Sequence, residues 1–204
     1  TVIQNQFLFD LVNILEECSS FDLDKVKSVF HQLCIQYNHN FIYQLIDYLN
    51  KQNYSLNFII HVFEERIEDK GCFYKNEIMK KYLYILFHYQ NDQLDEAIKK
   101  YYDDQSFKLI LIYMYKENKN YDQAEKVCLD GIQQSHSVDF YRLLIDIYQK
   151  TNQKNKLINV LKQLLYRKQG NVEYYKQLKQ LYNQEEWQKE KQEIITYLEK
   201  QNNN

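Results

Sequence analysis

From Phe7 to Leu198, apolar side chains recur at i, i+3, i+4 and i+7, the spacing that lays one stripe along an α-helix and that no strand can use. Phe7, Leu8, Leu11, Ile14 and Leu15 form one such stripe, and Val26, Val29, Phe30, Leu33, Cys34 and Tyr37 a second. Ser19 with Asp22 three residues on reads as the capping box before the second stripe. Phe41, Ile42, Leu45, Ile46, Tyr48 and Leu49 set a third. Phe58, Ile59, Val62, Phe63 and Ile67 set a fourth, with Ser55 as N-cap and Gly71 as the residue just past its C-terminus. A longer apolar segment runs from Ile78 to Phe87. Proline is absent and glycine occurs three times, where average usage gives roughly ten and fourteen. Helices joined by short Asn, Asp and Ser turns suit that composition, and sheets do not. We therefore expect an all-α chain.

The 20 tyrosines are weak support for stacking on nucleic-acid bases. The chain is also rich in Lys, Asn, Ile and Phe and poor in Ala, Arg, Gly and Pro, a skew that an AT-rich genome imposes by itself. Net charge is −2, which excludes a strongly basic polyanion-binding domain. The charge is uneven, at −4 over residues 1 to 100 and +2 over residues 101 to 204. Between Asp146 and Glu173, Lys150, Lys154, Lys156, Lys162, Arg167 and Lys168 meet no acidic residue in sequence. Such a patch could hold a phosphate or an acidic peptide, with Tyr148 and Tyr166 beside it for stacking; a solvated helix surface would look the same.

Two strings sharpen the pattern. Leu94-Asp95-Glu96-Ala97 reappears as Tyr121-Asp122-Gln123-Ala124, and each is placed to open the second helix of a hairpin. Ala97 and Ala124 are the only alanines in the chain, so their shared position implies a steric requirement for a small side chain at a close helix crossing. Leu111, Tyr115, Tyr121, Ala124 and Gly131 then supply large, large, aromatic, small and small residues in order. Leu144, Tyr148, Leu157 and Leu164 repeat the register 33 residues later, and Leu178, Tyr182 and Trp187 about 34 further on.

This register resembles the tetratricopeptide repeat over roughly residues 78 to 200. Leu157 departs from the small residue of the motif, the terminal proline is missing, and the step from Ala97 to Ala124 is only 27. The resemblance implies a right-handed solenoid of antiparallel helix pairs. Residues 1–75 would form divergent hairpins continuous with the repeats of 76–200 in one elongated domain, and 201–204 a disordered tail. It also implies a concave groove lined by the first helix of each pair, with Tyr113, Lys116, Arg142, Asp146, Gln149, Lys176 and Gln180 facing it. Arg142 and Lys176 are the candidate carboxylate clamps. Separately, Tyr174-Tyr175-Lys176-Gln177-Leu178-Lys179-Gln180-Leu181-Tyr182, followed by Glu185-Glu186-Trp187, resembles the helical tails behind SWIM-type zinc fingers of some bacterial proteins. The zinc-binding motifs of that finger are absent here, so this second resemblance implies the tail alone.

Chemistry-bearing motifs are sparse. Cys18, Cys34, Cys72 and Cys128 are too dispersed for a CxxC pair and read as reduced, buried, structural thiols. His61 shares a helical face with Glu64 and Glu65, and His31 lies one turn from Cys34, but neither pair completes a ligand set or a catalytic arrangement. Gly71, Gly131 and Gly170 stand too far apart for a phosphate-cradling loop. No apolar run approaches a membrane span, no basic region precedes an apolar one at the start, and the sequon Asn53-Tyr54-Ser55 is then incidental in a cytoplasmic chain. The chain begins with Thr1, as an excised part of a longer protein would.

The expectation is thus a non-catalytic protein-binding scaffold without cofactor or metal, taking a peptide or partner helix. The alternatives are a nucleic-acid-associated helical module using residues 150–168 and the core of a peptide-sensing regulator. A homodimer would use Ile194, Ile195 and Leu198 of the final helix.

Overall fold

The computed structural model describes residues 39–51, 56–167 and 171–202, and every regular element among them is helical. In chain order they are α1 (His39–Lys51), α2 (Asn57–Glu68), α3 (Lys75–His88), a single 3-10 turn (Asn91–Gln93), α4 (Leu94–Tyr101), α5 (Gln105–Glu117), α6 (Tyr121–Ser135), α7 (Val138–Lys150), α8 (Lys154–Arg167), α9 (Val172–Leu181) and α10 (Gln184–Asn202). The protein is all-α across these residues. The stripes around Phe7 and Val26, the Ser19 capping box, His31, Cys18, Cys34, Ser55, Lys168 and Gly170 lie outside them, as do the side chains of Phe41, Tyr48 and Phe58. Two compact units divide between Ile110 and Leu111, inside α5, whereas the repeat register divides the chain at residue 75.

In the first unit α2 packs on α3. The helical spacing predicts the buried faces: Ile59, Val62, Phe63 and Ile67 on α2 and Ile78, Met79, Tyr82, Leu83 and Leu86 on α3 are all at most 3% exposed. Their burial is the main favourable term, about 25 cal/mol for each Å² of apolar surface taken from water. α1 joins through Tyr43, whose ring meets Tyr84 edge-on at 4.7 Å, and through Asp47, whose Oδ1 accepts the Tyr84 and Tyr89 hydroxyls at 2.9 and 2.6 Å. The end of α2 differs from expectation. The helix stops at Glu68, Asp69 turns extended, and the Asp69 side chain accepts the Gly71 N–H at 2.9 Å. An aspartate that bonds its own following backbone ends the helix without needing a glycine in the left-handed region.

Both alanine strings open helices, Leu94 beginning α4 and Tyr121 beginning α6, and Ala97 and Ala124 are 3% and 0% exposed. In the second unit, α7 packs on α6 and on α8, and α8 packs on α9. A close approach there involves a glycine: a Cβ on Gly131 of α6 would lie 2.5 to 2.7 Å from three ring carbons of Phe140 on α7. Leu111, Leu144, Leu164 and Leu178, all register positions, are 0% exposed, and Leu157 sits in the core at 5%.

Three of the turns between helices take left-handed backbone without glycine. Lys119, His136 and Asn152 hold φ of 59°, 53° and 54°, one each between α5 and α6, α6 and α7, and α7 and α8. Left-handed backbone costs an ordinary L-residue roughly 1–2 kcal/mol, with Asn the most tolerant. Lys119→Gly should therefore stabilise the protein by about 0.5–1 kcal/mol and Asn152→Gly by less, read from urea denaturation midpoints.

Gly131→Ala tests the crossing. Alanine normally stabilises a helix interior by about 1 kcal/mol over glycine. Here the Phe140 ring occupies the space, so the substitution should destabilise by about 1–3 kcal/mol, and adding Phe140→Leu should recover part of the loss. A gain in stability for the single variant would refute the close approach.

Candidate functional site

α7 begins where Ser137, in extended conformation, accepts the Asp139 N–H through its hydroxyl, an N-cap that fixes the rotation of the helix about its axis. Phe140, Leu144 and Ile147 then face the core at 0% exposure, which turns Arg142 and Gln149 outward. α9 begins in the same manner, Asn171 Oδ1 accepting the Glu173 N–H at 2.9 Å. Its buried anchor is Leu178. Because α8 packs against both α7 and α9, the two capped helices bracket an open cleft of about 400 Å³. Arg142 and Ile145 of α7 and Asn171, Glu173, Tyr174 and Gln177 at the start of α9 line it.

The cleft carries both signs of charge and both kinds of hydrogen-bonding group. Gln177 Nε2 donates to Glu173 Oε1 at 3.0 Å, which turns the carboxamide oxygen the other way. Arg142 Nη1 lies 3.5 Å from Asp139 Oδ1, but that pair is 67% and 57% exposed and holds the guanidinium only loosely. Ile145 and the Tyr174 ring add apolar surface.

Of the groove residues expected from the register, Tyr113, Lys116 and Asp146 come together with Lys150. Lys116 Nζ is 2.6 Å from Asp146 Oδ2, Lys150 Nζ is 3.1 Å from the same oxygen, and the Lys116 ammonium stands 5.1 Å from the Tyr113 ring centroid. Lys116 is thereby committed to Asp146. Gln149, Lys176 and Gln180 are exposed, and none of them lines the cleft. Asn171, Tyr174 and Gln177 do line it and were not singled out from sequence. Their spacing of three beside the buried Leu178 is the pattern that would have found them.

The acid-free run does not remain acid-free in space. Lys150 meets Asp146, Lys156 meets Glu125 at 2.7 Å, and Lys162 meets Glu190 at 2.6 Å. Arg167 bonds the His136 carbonyl at 3.4 Å and lies over the Tyr141 ring, while Lys154 is exposed. Nor are the tyrosines beside the run open for stacking. Tyr148 is 3% exposed and donates its hydroxyl to Glu125, and Tyr166 is stacked on Tyr197 with centroids 4.0 Å apart. The apolar end of α10 is likewise smaller than its sequence implies, since Ile194 is 1% exposed and faces the core.

Elsewhere, His61 Nε2 pairs with Glu65 at 3.0 Å on the surface, and Glu64 accepts the Tyr82 hydroxyl at 2.8 Å. No group of three His, Cys, Asp or Glu residues that could hold a metal ion occurs among the described residues. Burial pushes the Cys128 thiol up to about 12, which leaves it protonated and unreactive; Cys72, expected to be buried, is only half-buried, because it lies in the turn between α2 and α3. No described helix is long and apolar enough to cross a membrane.

With this geometry in hand, comparison with known proteins returns no matching family model, no matching curated protein and no matching solved structure.

Asp146 offers a pH test. Burial raises its carboxyl, but the Lys116 and Lys150 ammoniums outweigh that and hold it below the usual carboxylate value. A carboxyl depressed in the fold contributes stability that is fully present above its unfolded value, near ~3.9, and is lost as the pH falls through the folded one. Denaturation midpoints taken at falling pH should therefore drop less steeply below about pH 4 for Asp146→Asn than for the parent. Parallel curves would show that the two lysines do not hold this carboxylate.

Proposed function

We propose that this chain is a non-catalytic binding module, built of tetratricopeptide-like helix pairs, that takes an extended peptide in the cleft between α7 and α9. The observation that carries this proposal is the open cleft of about 400 Å³ with Arg142 exposed at its edge. Apolar surface from Ile145 and Tyr174, a few fixed polar groups and one loosely held cation make a surface suited to a peptide strand rather than to a reacting small molecule. The register supports the same conclusion. Leu144 and Tyr148 on α7 correspond to Leu178 and Tyr182 at the end of α9, so the cleft lies between the first helices of successive copies, where stacked helix pairs present their binding surface.

The nucleic-acid alternative draws little support. Carboxylates neutralise three of its lysines, and its two tyrosines are occupied.

Binding of short acidic peptides, measured by fluorescence anisotropy, tests the proposal. Arg142→Ala should weaken it by about tenfold, equivalent to about 1.4 kcal/mol, whereas Lys176→Ala, which removes a cation outside the cleft, should change it by less than about twofold. Equal effects of the two substitutions would move the binding surface elsewhere.

A further inference from the structure

We draw no further inference here: the strongest candidate, the apolar tip of the turn between α2 and α3 where Phe73 is 97% and Tyr74 54% exposed, carries nothing because no feature of the described residues shows what covers it.

Discussion

The edge of the Phe140 ring rests where any side chain on Gly131 would have to be, and the packing of α6 on α7 depends on that approach. Bringing α6 so close to α7 fixes the height of α7 along its neighbour. It also buries Leu143, Leu144, Ile147 and Tyr148 on the faces that meet the adjoining helices. With those faces taken, Arg142 has no direction left but outward. The position of the cleft arginine is thus a consequence of core packing two residues from it, not of any contact the arginine itself makes.

A second device recurs between helices: a tyrosine hydroxyl and a lysine ammonium converge on one carboxylate. Tyr148 and Lys156 meet at Glu125, Tyr182 and Lys162 at Glu190, and Tyr101 and Lys100 at Glu68. Each carboxylate is acceptor-only and has lone pairs to spare, so it can take a neutral and a charged donor together. Glu190 shows how far this goes, remaining only 8% exposed with both partners in place. A chain with few alanines and many tyrosines fills its inter-helix space with rings and then uses the ring hydroxyls to tie the carboxylates down. Tyr101, Tyr148 and Tyr182 thus have structural roles within the fold.

What could be read from sequence was whatever depends on neighbours along the chain. Helix starts at Leu94 and Tyr121, the burial of both alanines and the core role of Leu144 and Leu178 all follow from local spacing. What could not be read depends on partners and caps that the apolar spacing does not show. Lys156 and Lys162 look unopposed in sequence, yet Glu125 and Glu190 approach them from other helices. Lys176 looked like a clamp by motif position, yet the turn of α9 set by the Asn171 cap brings Tyr174 and Gln177 to the cleft instead. Gly71 looked like a helix stop, but Asp69, two residues earlier, already closes the helix with its own carboxylate. In each case the deciding partner was invisible to periodicity.

The packing of α6 on α7, α7 on α8 and α8 on α9 joins helices that follow one another directly in the chain. Contacts of that kind close short loops, so little chain entropy stands between an unfolded segment and its first stable hairpin, and assembly can start at any pair and spread to the next. The same layout makes length a cheap evolutionary variable. A duplicated hairpin finds a ready surface on its predecessor, whereas a deleted one leaves an oily helix face uncovered, so such a chain lengthens more readily than it shortens.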